Sequence, residues 1–158
     1  YEAFEKLVAY FEEQEEDTVI LFFGDHQPTT YVSNPIIRSN GLQPDSLSLE
    51  ENLLKYKVPY VMWSNFELPN EQDVYKGETS TNYLAIDVLE RCGLPLPAYQ
   101  SFLKEIRKQC PVITANQIRD AQGRLLQEEA EEGVTTKEEQ AKDAYQTMQY
   151  YLMFDLDK

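Results

Sequence analysis

The stretch Thr18-Val-Ile-Leu-Phe-Phe-Gly-Asp-His-Gln-Pro28 joins a short apolar run to a glycine, an aspartate and the single histidine of the 158-residue chain. The apolar run, Val19–Phe23, is too short to cross a membrane and suits a strand that is buried on both faces. We therefore predict a β-strand that ends just before Gly24, Asp25 and His26. Open α/β sheets bind their ligands beyond this end of their strands.

Asp25 and His26 together offer a carboxylate oxygen and an imidazole nitrogen. These are ligands for a divalent ion such as Zn²⁺ or Mn²⁺. The same two residues also fit an ordinary strand end, where the histidine does no more than make hydrogen bonds. On these residues alone, both interpretations remain open.

The charge of the chain excludes several classes of partner. It carries 28 acidic and 14 basic residues, which gives a formal net charge of −14. This charge repels a phosphate backbone, so we expect neither nucleic acid nor an anionic membrane surface as a direct partner. Most of the acidic surface is expected to be solvated. The length suits a single domain spanning residues 1–158.

The two cysteines and the absence of a long apolar stretch say little about the compartment. Cys92 and Cys110 do not form a CxxC pair. Their spacing allows a disulfide, but two cysteines do not establish an oxidising environment. No stretch has the length and apolar character of a membrane span or a signal peptide. Because Tyr1 already falls within a helical pattern, we expect that the chain was cut from a longer polypeptide.

In the first half of the chain, apolar spacing predicts a helix that leads into the strand, as in a parallel α/β unit. Residues 27–43 are rich in proline and asparagine and predict a long loop. A capping box at Ser48 and Glu51 then predicts a short helix, and residues 58–63 predict a second strand. The residues at helical spacing are Phe4, Leu7, Val8 and Phe11.

In the second half, residues 79–82 form a cluster of helix-capping residues, and Gly93 is a helix stop. Between them we predict a helix with Ala85, Val88, Leu89 and Cys92 on one face. A second helix follows, with Tyr99, Phe102, Leu103 and Ile106 at helical spacing and Pro111 beyond its end.

The last third of the chain predicts smaller elements and a final helix. Residues 112–114 suit a short strand, and residues 117–126 suit a hairpin that turns at residues 120–123. The acidic run at residues 128–132 resembles a solvated linker. Thr136 and Glu139 predict a capping box for the last helix. Its apolar side carries Ala141, Ala144, Tyr145, Met148 and Leu152.

Several of these segments resemble, in this order, the C-terminal part of the lipoteichoic acid synthase-like phosphoglycerol transferases, which belong to the alkaline phosphatase and sulfatase superfamily. The resemblance extends from the first helix to about Asn116 and, more loosely, to the tyrosine-rich last helix. The Gly-Asp-His motif alone is shared across the superfamily, whereas the series is more specific. The matching segments are Phe23-Gly-Asp-His-Gln-Pro28, Tyr56-Lys-Val-Pro-Tyr-Val-Met-Trp-Ser-Asn65, Thr79-Ser-Thr-Asn-Tyr-Leu84, Gly93-Leu-Pro-Leu96 and Pro111-Val-Ile-Thr-Ala-Asn116.

The resemblance implies an α/β fold: a partial three-layer α/β/α alkaline phosphatase-like fold, with a mostly parallel sheet flanked by helices and a small C-terminal hairpin and helix. It implies a membrane-anchored enzyme on the extracellular face of a bacterial membrane. Such an enzyme transfers glycerol phosphate from a phospholipid head group to a polyglycerol phosphate or glycan acceptor. Asp25 and His26 match the family's Asp-His pair of metal ligands, with Mn²⁺ the expected ion and Zn²⁺ or Mg²⁺ as alternatives.

The resemblance also implies what the 158 residues lack. The family's threonine nucleophile and its acidic metal ligand lie upstream of the matching segments, and neither Thr18, Thr29 nor Thr30 is at the nucleophile position. We therefore expect this chain alone to be inactive and to hold no tightly bound ion. Sheet edges left without upstream strands predict self-association.

Two other interpretations remain open from the sequence. The first keeps the superfamily and changes the reaction to that of a sulfatase, a phosphatase or a phosphoethanolamine transferase, because Gly-Asp-His does not separate them. The second is a noncatalytic acidic interaction domain in which His26 is a hydrogen-bonded residue at a strand end.

Overall fold

The computed structural model describes residues 2–70, 77–114, 117–126 and 136–154. The chain divides into two compact units, residues 1–66 and 67–158, which are described separately below. The expectation of a single domain stays a prediction. The elements are α1 (Glu2–Glu12), β1 (Val19–Phe23), α2 (Thr30–Ser39), α3 (Leu49–Leu53), β2 (Tyr60–Ser64), α4 (Leu84–Arg91), α5 (Ala98–Gln109), β3 (Val112–Ile113), β4 (Ile118–Arg119) and α6 (Lys137–Phe154), with 3₁₀ helices at Leu54–Tyr56 and Thr81–Tyr83.

The first unit is built around β1, which forms as predicted and pairs with β2. The pairing is antiparallel, with Val19 opposite Ser64 and Phe23 opposite Tyr60. Both sheets among the described residues have two antiparallel strands, so the predicted mostly parallel sheet is corrected in this respect. The reason is local: the chain leaves β1 and, after α2 and α3, enters β2 at the same end of the sheet.

The predicted burial of β1 on both faces is also wrong. Phe22 and Phe23 are 54% and 44% exposed. Helix α1 covers part of the sheet, with the ring of Phe4 4.9 Å from that of Phe22. The self-association expected from uncovered apolar surface stays a prediction.

The side chain of Asn65 fastens the end of α1 to the sheet. Its amide donates to the carbonyl oxygens of Phe11, Gln14 and Glu16, at 3.0, 3.2 and 3.0 Å. Its own Oδ1 accepts from the backbone N–H of Thr18 at 2.8 Å. One residue therefore satisfies the backbone groups of the turn that leads into β1.

The long loop predicted over residues 27–43 is wrong, because its central part is helix α2. Pro35 lies inside this helix. As the sixth helical residue, Pro35 removes one backbone hydrogen bond near the start of α2. Helix α2 ends at Ser39 and is followed, after Asn40, by Gly41, which has a φ of 79°. The N–H groups of Gly41 and Leu42 donate to the carbonyl oxygens of Arg38 and Ile37. This is a Schellman ending.

The second unit has the larger buried core, at the place where α4, α5, α6 and the β3–β4 hairpin meet. Tyr83 is fully buried, and its hydroxyl donates to the Cys110 carbonyl oxygen at 2.9 Å. Arg107 and Asp87 form a buried ion pair of 2.5 Å between α5 and α4. The core residues are Tyr83, Ile86, Leu103, Ile106, Cys110, Ile118 and Ala141.

Two predictions about the start of α4 are wrong. Neither Ser80 nor Tyr83 caps a helix with its side chain. Instead, the Ser80 hydroxyl exchanges hydrogen bonds with the backbone of Ile113, at 2.7 and 2.8 Å. The fully buried face of α4 carries Ile86 and Asp87, whereas Ala85 is exposed. After the 3₁₀ turn, α4 therefore buries a different set of residues from the one that the apolar spacing predicted.

The remaining elements agree with the sequence. Both capping boxes form, with the N–H of Ser48 donating to Glu51 and that of Thr136 to Glu139, each at 2.7 Å. The hairpin predicted over residues 117–126 forms as a bridge between Arg119 and Leu125. It turns at residues 120–123, where the Asp120 carboxylate accepts from the N–H groups of Gln122 and Arg124. The acidic run at residues 128–132 lies outside the described residues.

The mixed architecture, with helices beside small sheets, confirms the predicted α/β class and agrees with a partial alkaline phosphatase-like fold. Within the described ranges, no helix combines the length and the apolar character needed to cross a membrane.

Both cysteines are free thiols, and we predict that a maleimide labels Cys92 and spares Cys110 in the native protein. Cys110 is fully buried, and burial raises the pKa of its thiol to about 11. Access and thiolate population are therefore both small. Mass spectrometry after brief labelling, with and without urea, measures this. Equal labelling of the two residues without urea would contradict the packing around Cys110.

Candidate functional site

The loop that carries Asp25 and His26 is attached to the segment that enters β2. The N–H of Gly24 donates to the Pro59 carbonyl oxygen at 3.3 Å. Three residues later, the side-chain amide of Gln27 donates to the Lys57 carbonyl oxygen. Both hydrogen bonds can form because the antiparallel pairing places the end of β1 beside the beginning of β2.

The backbone at position 24 passes so close to Val58 that only a residue without a side chain fits there. A Cβ atom at this position would lie 3.0 Å from the Cβ of Val58 and 3.2 Å from its Cγ1. Such contacts are tighter than ordinary van der Waals packing, so a side chain would push the loop away from residues 57–59.

Hydrogen bonds occupy one polar atom of each predicted ligand. Asp25 Oδ1 accepts from the backbone N–H of His26 at 2.9 Å. His26 Nδ1 lies 2.8 Å from the Gln27 carbonyl oxygen. Because a carbonyl oxygen only accepts, this contact is a hydrogen bond when Nδ1 carries the proton. The neutral ring then has Nε2 as its free acceptor nitrogen.

The two remaining atoms, Asp25 Oδ2 and His26 Nε2, are 3.6 Å apart. Two ligand atoms of one tetrahedral zinc-like ion are roughly 3.4 Å apart, given metal–ligand distances of about 2.1 Å. The pair is open to solvent, with side chains 83% and 75% exposed. Donor chemistry, spacing and access therefore all fit two adjacent ligands of one divalent ion.

A complete ligand set is not present in the part of the chain that the structure describes. Within it, no group of three or more His, Cys, Asp or Glu side chains could hold a metal ion. Two protein ligands are fewer than the three or four that such sites normally have. The pair fits as half of a site.

A pocket of about 840 Å³ adjoins the pair and belongs entirely to the first unit. Helix α2 supplies one wall through Ser33, Ile37 and Asn40, which share one helical face. Leu47 and Leu54 contribute apolar surface from the α3 region. The site therefore combines two polar ligand atoms with a mostly apolar cavity, the usual composition of a small-molecule site.

Two charged residues of the pocket wall, Glu51 and Lys55, form hydrogen bonds within the protein. Glu51 belongs to the capping box of α3, where the N–H of Ser48 and then its hydroxyl lower the pKa of the Glu51 carboxyl. Lys55 donates to the Pro44 carbonyl oxygen at 3.4 Å. Because the Glu51 pKa is lowered in the folded state, its contribution to helix capping is lost only as the pH falls through that value.

Comparison with known proteins identifies the family. The family model described as Sulfatase matches residues 2–94, which is more than half of the chain. The chain belongs to the sulfatase family. The alkaline phosphatase and sulfatase superfamily, to which this family belongs, contains hydrolases and transferases.

The chain is also distantly similar to one protein whose name indicates a process. This relative is a protein of Rhizobium meliloti (strain 1021), named for the modification of cyclic beta-1,2-glucan, and it is 27% identical over 104 residues. The match covers 63% of this chain and 16% of the relative, so the chain spans about a sixth of that protein's length. No solved structure matches the chain.

Sequence reasoning identified the residues of the pair but missed their surroundings. Asp25 and His26 lie together at the end of β1, as predicted, and their role as metal ligands stays a prediction. Thr18 lies before β1, at the other end of the strand, whereas Thr29 and Thr30 line the pocket. The missed features are the α2 wall and the Gln27 bond to Lys57. The Asn40-Gly41 helix ending was a signal for α2, but no sequence pattern indicated the Gln27 bond.

We predict that Gly24→Ala lowers the free energy of unfolding by about 1–3 kcal/mol, because the new methyl overlaps Val58. Urea denaturation followed by tryptophan fluorescence measures the loss. Val58→Gly removes both the Cβ and the Cγ1 contacts, so the double variant should lose less free energy of unfolding than the two single variants together. Strictly additive losses would contradict the close approach of Gly24 and Val58.

Proposed function

We propose that this sulfatase-family chain is the metal-binding C-terminal part of a phosphoglycerol transferase of the lipoteichoic acid synthase type. The observation that carries the proposal is the convergence of Asp25 Oδ2 and His26 Nε2, 3.6 Å apart, at the end of β1. The series of segments that resembles those transferases supports the specific reaction. The nucleophile and the further metal ligands are proposed to lie outside the 158 residues.

The proposed ion is Mn²⁺, with Zn²⁺ or Mg²⁺ as alternatives. When bound, a divalent ion lowers the pKa of a coordinated hydroxyl and stabilises charge on phosphoryl oxygens. Asp25 would supply an anionic oxygen, and His26 would supply its Nε2 atom. The other ring nitrogen of His26, Nδ1, is hydrogen-bonded to the Gln27 carbonyl oxygen. Each ligand keeps its orientation through its second polar atom, an arrangement typical of metal ligands.

The pocket supports a lipid donor. Its wall beside Asp25 and His26 is mostly apolar, with Ile36, Ile37 and Leu42 among its residues. A phospholipid has an apolar portion directly attached to the phosphate that is to be transferred, and burial of such a portion is favourable. The proposed reaction therefore places the phosphate at the ligand pair and the adjoining glyceride in the pocket.

The acceptor is proposed to be polyglycerol phosphate or a glycan. The name of the Rhizobium meliloti relative, which refers to the modification of cyclic beta-1,2-glucan, supports a glycan. A phospholipid donor and an envelope glycan would meet on the extracellular face of the bacterial membrane, and this is the proposed location of the parent enzyme.

The test is transfer of glycerol phosphate from labelled phosphatidylglycerol by the full-length enzyme. We expect transfer that depends on Mn²⁺ and falls more than about a hundredfold in both Asp25→Ala and His26→Ala, because loss of a ligand exceeds the 10–100-fold effect of losing an outer partner. Asp45→Ala is the matched control, since Asp45 is exposed and does not line the pocket.

Three results would contradict the proposal. The first is activity retained in both ligand variants while they remain folded. The second is hydrolysis of aryl sulfates, or transfer of phosphoethanolamine, in place of glycerol phosphate transfer. The third is the absence of every such activity together with the absence of metal binding, which favours the noncatalytic interaction domain.

A further inference from the structure

The ring of His26 depends on few contacts for its orientation. Its side chain is 75% exposed, so packing restrains it little. The bond from Nδ1 to the Gln27 carbonyl oxygen, at 2.8 Å, is therefore the main restraint on the ring. This bond also decides which nitrogen is free, because it is made only when Nδ1 carries the proton.

The Gln27 carbonyl is itself held in place from two sides. Pro28 follows Gln27 and restricts the backbone of Gln27 to extended conformations. The side-chain amide of Gln27 donates to the Lys57 carbonyl oxygen, in the segment that leads into β2. In that segment, the N–H of Lys57 donates to Leu54 at 3.4 Å, and Pro59 accepts from Gly24.

These contacts form a continuous chain of hydrogen bonds from the segment before β2 to the imidazole ring. It runs from Lys57 through the Gln27 side chain to the Gln27 carbonyl, and from there to His26 Nδ1. Without the amide bond, Gln27 would keep only its backbone restraints. Its carbonyl would then no longer hold the ring with Nε2 toward Asp25.

We propose that Gln27 is a positioning residue that fixes the tautomer and orientation of His26 by anchoring its own carbonyl to the segment before β2. The consequence for metal binding rests on the function proposed above, whereas the effect on the ring does not. A carboxylate in the same place cannot donate to the Lys57 carbonyl. Gln27→Glu therefore removes the anchor with little change in shape, and Gln27→Ala removes the side chain.

The chain contains one histidine, so the imidazole ¹⁵N spectrum reports His26 alone. Long-range ¹H–¹⁵N correlation spectra of the whole chain at about pH 8.5, where an ordinary imidazole is neutral, identify the tautomer. We expect mainly the Nδ1–H form in the wild type. In Gln27→Glu and Gln27→Ala we expect a shift toward the Nε2–H form. Gln43→Ala is the control, because Gln43 is exposed and outside the pocket.

Equal tautomer populations in the wild type and in both folded Gln27 variants would overturn the proposal, as would a wild type that is mainly Nε2–H. Thermal unfolding followed by circular dichroism establishes that each variant is folded. A Mn²⁺ titration of the full-length enzyme should show about tenfold weaker binding in the variants. The transfer assay of the full-length enzyme tests the proposed function separately, and the tautomer result decides the role of Gln27 whether or not the chain alone binds Mn²⁺.

Discussion

The antiparallel pairing of β1 with β2 is the constraint on which the first unit depends. Its register sets Phe23 against Tyr60, which brings the residues after β1 alongside the residues before β2. The N–H of Gly24 can then donate a hydrogen bond to the Pro59 carbonyl oxygen, and the Gln27 side-chain amide can donate one to the Lys57 carbonyl oxygen. At the other end of the sheet, Asn65 ties the turn after α1 to the start of β1. A slip of one residue would turn the side chains to the opposite face and separate these partners.

The same constraint brings polar atoms of Asp25 and His26 close together. Neighbouring side chains on an extended strand point to opposite faces, but Asp25 and His26 follow the end of the strand, in a bend. There, each of the two side chains uses one polar atom for a hydrogen bond within the loop and leaves the other exposed. The free atoms converge to 3.6 Å beside an apolar pocket. The placement of these two polar atoms at an exposed strand end thus depends on backbone hydrogen bonds more than on burial.

The sequence predicted the elements whose signals are local. Strand β1, both capping boxes, the α5 stripe and the ends of α4 and α5 follow from apolar periodicity, capping residues, glycine and proline. It failed where partners distant in sequence decide. The Ser80 hydroxyl forms hydrogen bonds with the backbone of Ile113 instead of capping a helix, and β1 pairs antiparallel with β2 after a two-helix connection. Pro35 was a local signal against a helix, and α2 forms around it. The Asp25-His26 motif was predictable from the sequence, whereas the hydrogen bond of Gln27 depends on a carbonyl thirty positions away.

The measurement that most directly tests the central claim is pulsed EPR of the chain frozen with excess Mn²⁺, because two protein ligands are expected to hold the ion only weakly. The coupling of an imidazole ¹⁴N nucleus to the ion can come only from His26, since the chain has no other histidine. It is therefore separable from ions held by the many acidic side chains. Convergence of Asp25 and His26 on one ion predicts a ¹⁴N coupling in the wild type that disappears in His26→Ala and weakens in Asp25→Ala. Bound Mn²⁺ without any ¹⁴N coupling in the wild type would contradict it.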